Sequence, residues 1–187
     1  MLSEIEAMEV LAPVLAMAGG NDLDRGALAA SITDAYIQAV EQFAPGIARE
    51  GVRRACAKQT SGWRPSPQQV EAACKAELED AAFAYVERAK RLLPWSPEQA
   101  TAYNRLSNEE RWKWWIERFE GFYCVSWDSM SRARSNVDRA RMLPGWERIE
   151  GSARETQSAI AATLDAVLLN AKRSQLEAID ERRPESA

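Results

Sequence analysis

Residues 65–79 read Pro65-Ser66-Pro67-Gln68-Gln69-Val70-Glu71-Ala72-Ala73-Cys74-Lys75-Ala76-Glu77-Leu78-Glu79. Ser66 and Gln69 stand in the spacing of a capping box. The serine oxygen can accept an orphan N–H of a first helical turn, and the glutamine side chain can reach back to the serine N–H. Pro67 follows at the first helical position, where a missing N–H does no harm. The same spacing recurs at Ser3/Glu6, Ser96/Gln99, Ser107/Glu110 and Ser152/Glu155, with Pro97 behind Ser96. These starts, joined to apolar stripes, predict helices over about 4–18, 26–43, 46–60, 67–92, 97–105, 108–120, 127–142 and 153–182. Eight of the nine Gly fall at or between the ends of these segments, and Gly51 is the exception. Leu28, Ile32, Ala35, Tyr36, Ala39 and Phe43 form the cleanest stripe, and Trp112, Trp115, Phe119 and Phe122 share one side of the sixth segment. Pro13 is expected to kink or divide the first helix. No alternating run with hairpin punctuation is present. The expected fold is all-α with about eight helices.

Leu93-Pro94-Trp95-Ser96-Pro97 is the best candidate boundary. It separates an Ala-rich N-terminal bundle, residues 1–93, from an aromatic-rich region, residues 94–187, that holds six of the seven Trp. Ile160, Leu164, Val167 and Ala171 lack sustained heptads, so the last helix is expected to pack within its own domain. The polar tail from about residue 182 is expected to fray.

Composition removes several chemistries. There is no His among the 187 residues, hence no Ser-His or Cys-His catalysis and no imidazole ligand. Cys56, Cys74 and Cys124 form no CxxC pair, which disfavours a zinc site and a disulfide framework and fits a reducing cytosol. Neither phosphate-cradling glycine loop occurs. Carboxylates such as Glu77, Glu79 and Asp80 read as a solvated helix face. Cys56 and Cys74, set among Ala, read as small buried hydrophobes. No catalytic residue, metal site or cofactor is expected. Val10 to Ala18 imitates a secretion signal, but Glu4, Glu6 and Glu9 precede it in place of the required cations. The expectation is a non-enzymatic, cytoplasmic protein with no membrane partner.

Net charge is −4 and unevenly spread. Glu4, Glu6, Glu9, Asp22, Asp24, Asp34 and Glu41 face only Arg25 in the first 44 residues. Arg49, Arg53, Arg54, Lys58 and Arg64 then face only Glu50. On a helix, Ala48, Val52, Ala55 and Gln59 share one side, while Arg49/Arg53 and Arg54/Lys58 form i,i+4 pairs away from it. This basic face, leading to Trp63 and Arg64, suits phosphate tracking with stacking, docking on the acidic first helices, or plain solvation. A second basic cluster, Arg132, Arg134, Arg139 and Arg141, is placed at i,i+7 on one helix, flanked by Trp127 and Trp146 and partly neutralised by Asp128 and Asp138. It reads as an interface, or as Arg stems that cover apolar surface and pair within the fold. Trp112 and Trp115 are expected in the core with Phe119. Trp114 points elsewhere and is the candidate partner-facing aromatic.

The segment Pro65-Ser66-Pro67-Gln68-Gln69-Val70, followed by Cys74-Lys75 and Glu77, resembles the P-S-P-x-Q stretch of the phage lambda replication protein P family. Tyr36, Ala39 and Val40, then Gly51 to Ala55, are similar in spacing to that family's preceding helices. The resemblance covers about residues 30–80. It implies a helicase loader from a bacterial host's phage or prophage: a DNA-replication accessory protein that is not an ATPase, binds the host's hexameric replicative helicase and holds its ring open. Single-stranded DNA and an initiator protein are the further partners implied. A rival expectation is a helical adaptor or inhibitor that binds a host protein through the Trp/Arg-rich residues 111–148.

Overall fold

The computed structural model of the chain describes residues 2–17, 27–60, 62–93 and 95–147, with residues 27–29 as backbone only. Among these residues the fold is all-α, with no strand. The helices are α1 (Glu4–Leu15), α2 (Ala27–Glu41), α3 (Pro45–Ala57), α4 (Pro67–Arg91), α5 (Pro97–Asn104), α6 (Asn108–Tyr123), α7 (Trp127–Arg132) and α8 (Asn136–Arg141). Four predicted capping boxes are made. Ser3 and Glu6 open α1, Ser96 and Gln99 open α5, and Ser107 and Glu110 open α6. Ahead of α4, Ser66 N donates to Gln69 Oε1 at 2.7 Å, and Gln69 N donates to Ser66 Oγ at 3.3 Å. The expected helix over 153–182 and the Ser152/Glu155 box lie outside the described residues.

Two expectations need correction. Of the two effects expected of Pro13, division does not occur: α1 runs through it to Leu15. Pro13 sits near the C-terminal end, so little helix remains beyond it to break. The single helix expected over 127–142 is two. Ala133 is extended at φ −62°, ψ 139°, and Ser135 starts afresh by accepting from Asp138 N at 3.0 Å. The side-chain cap at Ser135 competes with a continuous helix here.

The chain forms two compact units, and the division falls within α4, between Ala81 and Ala82. Among described residues the first unit contains those up to Ala81 together with Glu147, and the second runs from Ala82 to Trp146. The Leu93–Pro97 segment lies inside the second.

In the first unit α1 packs on α2 and α3. Leu11, Val14, Val40, Ile47, Val52, Val70 and Cys74 are buried. Burying each of the larger aliphatic side chains contributes about 1.5–3 kcal/mol. Gly51 sits inside α3 against α4. A Cβ there would meet Cys74 Sγ at 2.5 Å and Cys74 Cα at 2.6 Å, so only Gly permits this approach. Tyr36 Oη donates to the Pro65 carbonyl at 2.5 Å, tying α2 to the start of α4.

The second unit is built on rings. Tyr85 and Trp146 meet at a tilt of 58° with ring centroids 5.4 Å apart in its core, and Tyr85 Oη donates to the Pro144 carbonyl. Tyr123 Oη donates to the Ala89 carbonyl at 2.8 Å. Phe119, Met130, Val137, Ala140 and Leu143 complete the core. Cys124 ends α6 in the left-handed region at φ 55°, a conformation that favours Gly.

Candidate functional site

The first basic cluster is divided by the fold. Arg49, Arg53 and Lys58 are exposed on α3 and its C-cap. Arg53 holds Glu50 in a forked pair, with Nε 2.9 and 2.8 Å from the two carboxylate oxygens. This hydrogen bonding keeps the Glu50 carboxyl below the usual carboxylate range. Arg54 behaves differently. Its Nη2 lies 3.2 Å from Glu77 Oε2 and 2.8 Å from Asp80 Oδ2, both on α4. Glu77 is only 1% exposed, so its assignment to a solvated face is overturned. At α4 spacing Glu77 follows Val70, Ala73 and Cys74 onto the buried side, and Arg54 supplies the counter-charge that such burial requires.

Arg64 also turns inward. Its Nη2 donates to the carbonyls of Leu15 at 2.9 Å and Met17 at 3.2 Å, satisfying the C-terminal end of α1. Trp63, beside it, is 59% exposed. Gly62, at φ 74°, makes the turn that carries Trp63 outward. Cys74 matches its expected role as a small buried hydrophobe, and burial pushes its thiol up to about 12.

The second cluster does not form the expected ladder along one helix, because α7 ends at Arg132 and α8 starts at Asn136. Arg132 pairs with Asp128 at 2.9 Å, and Arg141 lies 3.9 Å from Asp138, all exposed. Arg134 is exposed in the connection. Arg139 folds back: Nε and Nη2 donate to the carbonyls of Met130 and Ala133 at 3.2 and 3.3 Å. It therefore closes the end of α7 and is not an outward binding residue. Trp146 is buried and Trp127 is half-buried.

The tryptophan assignments exchange places. Trp114 is half-buried in a three-ring cluster, 5.2 Å from Trp95 and 5.4 Å from Tyr103. The Arg118 guanidinium lies 4.9 Å from the Trp114 ring and 5.7 Å from Trp95. Trp95 and Tyr103 come from the segment before α6 and cover the side of it that Trp114 presents. That long-range arrangement has no periodic signature. Trp112 is instead 54% exposed. It stacks on Trp115 at 5.5 Å and 10°, and Trp115 stacks in turn on Phe119. Trp127 meets all three rings edge-on, with Lys90 Nζ 5.5 Å from its centroid.

One concavity escaped the sequence reading. A groove of about 230 Å³ between α3 and α4 is lined by Ala55, Lys58, Gln59, Gln69, Ala72 and Ala73. The legible signal was alanine on facing helices next to Gly51. Among the described residues no three Cys, Asp or Glu side chains gather as a metal-ligand group, and no helix is long and apolar enough to cross a membrane. Compared with models of protein families, with curated proteins and with solved structures, the chain matches none.

Proposed function

We propose that the chain is a non-enzymatic DNA-replication accessory protein of the helicase-loader type, acting by stoichiometric contact with a hexameric replicative helicase. The observation that carries this reading is the exposed set Arg49, Arg53, Lys58 and Trp63. It stands beside an α3–α4 pairing made by Gly51, Arg54, Cys74 and Glu77. The residues that resemble the lambda replication protein P family thus include those that hold the two helices together. A cationic, aromatic-tipped surface suits an acidic protein face or a phosphate backbone. Preferential binding to an open helicase ring would raise the population of that state without nucleotide hydrolysis.

Size-exclusion chromatography with light scattering tests this, on the chain alone and with the host helicase, at two salt concentrations. A stoichiometric complex that survives the higher salt is the expected result. Arg49→Glu with Lys58→Glu should weaken it, by about tenfold or more for two reversed charges. Arg54 is unsuitable for this purpose, because its reversal would add a third carboxylate to Glu77 and Asp80. No complex at micromolar concentrations removes the helicase reading.

The exposed end of the Trp112–Trp115–Phe119 stack favours a second reading, an adaptor or inhibitor that binds a host protein through this unit. Trp112→Ala with Arg134→Ala should then weaken capture of that protein. An unchanged dissociation constant would count against it.

A further inference from the structure

α1 is apolar on two opposite faces. Ala7, Val10, Leu11 and Val14 are buried. Ile5, Met8 and Ala12 recur at i, i+3 and i+7 on the far side, with Ile5 75% and Met8 39% exposed. A surface helix normally turns a polar face outward. This outer ridge is edged by exposed Glu4 and Glu9, and α1 contains no Lys or Arg. Whatever covers it should be apolar at the centre and basic at the rim.

The same unit presents such a surface. The α3–α4 groove has a floor of buried Ala55 and Ala73 and a rim of Ala72, Lys58, Gln59 and Gln69, with no acid among its lining residues. At about 230 Å³ it has room for an aliphatic side chain; a dry cavity of roughly 150 Å³ already admits benzene. Gln59 Nε2 lies 3.4 Å from Gln69 Oε1, a long amide pair that an incoming chain could displace at small loss.

We infer that the α1 ridge of one copy seats in the α3–α4 groove of a second copy, with Ile5 over the alanine floor and Glu9 beside Lys58. The two surfaces differ, so the contact is heterologous. It closes when two copies make it reciprocally and otherwise propagates. It concerns self-association, measured with no partner present, so its outcome is separate from that of helicase binding.

Sedimentation of the intact chain across a concentration series tests it. The expected result is a mass above monomer that rises with concentration and falls with added salt. Ile5→Asp and Ala72→Phe, both at exposed positions, should each weaken association by about tenfold or more. Glu9→Lys and Lys58→Glu should each do the same alone, and an equimolar mixture of the two variants should regain association, since opposite charges meet at both kinds of junction between unlike copies. Far-UV circular dichroism checks that each variant remains helical, and the charge-swap mixture keeps the test decisive if Ala72→Phe does not. A monomer mass throughout overturns the proposal. So does association that these variants leave unchanged. So does a monomer whose groove takes an acidic apolar peptide but not a second copy.

Discussion

Gly51 holds α3 against α4 at a separation no other residue allows. Its missing Cβ would overlap backbone as well as the Cys74 sulfur, so side-chain rotation cannot relieve the clash. Gly51→Ala should therefore destabilise the first unit by about 3 kcal/mol, the upper range for overpacked cores, despite alanine's better helix propensity. Urea denaturation would read this, and a neutral result would mean that the helices can separate at little cost. The thiol opposite has its own consequence. Burial, with a lesser contribution from Glu77 and Glu71, raises Cys74 from 9.0 to about 12. The unfolded chain then gains thiolate over a range where the folded chain does not. That contribution is fully present below about pH 9 and is lost as pH rises towards about 12. Thermal melting should fall over that window less steeply in Cys74→Ala than in the parent. Burial raises Tyr36 and Tyr123 as well, in the same direction, so the comparison with Cys74→Ala isolates the sulfur.

At the scale of elements, Arg54 and Glu77 form the crossing that the charge pattern concealed. A helical wheel places Arg54 with Lys58, away from Ala48 and Val52, and that reading holds for Arg49, Arg53 and Lys58. It fails for Arg54 because α4 carries a buried carboxylate within its reach. Arg54→Met should cost about 3 kcal/mol, since it leaves Glu77 buried without its counter-charge, whereas Arg53→Met at the surface should stay within about 0.5 kcal/mol. Combining Arg54→Met with Glu77→Met should recover most of the loss, and a double-mutant cycle by chemical denaturation measures the coupling. Helix starts were legible because a cap needs only residues three apart. Ser3, Ser66, Ser96 and Ser107 all act where the spacing put them. What escaped was long-range. Arg64 closes α1 from 47 to 49 positions away, and Trp95 reaches Trp114 from the far side of α5 in sequence. Arg139 was missed for a different reason: its role exists only because the chain leaves the helix at Ala133.

For the molecule as a whole, acidity should act through the helix starts. Hydrogen bonds from Ser3 and Ser107 hold Glu6 and Glu110 below the usual carboxylate range, and Arg53 and Lys75 do so for Glu50 and Glu71. Each contribution is present above the unfolded carboxylate value and is lost as pH falls through the lower folded value. Melting temperature should decline from about pH 5 to about pH 2. Glu6→Gln with Glu110→Gln should flatten that decline, because glutamine serves the same cap at Ser66 and Ser96 without titrating. An equally steep decline in the double variant would mean that the caps do not couple to global stability. The sulfur wedged beneath Gly51 also makes the first unit its own clock. An alkylating reagent can reach Cys74 only after α3 and α4 part, whereas Cys124 lies open at the end of α6. Once the accessible thiols are blocked, the slow modification rate counts openings of a single helix seam. A ligand that clamps this seam would slow the count with no engineered probe.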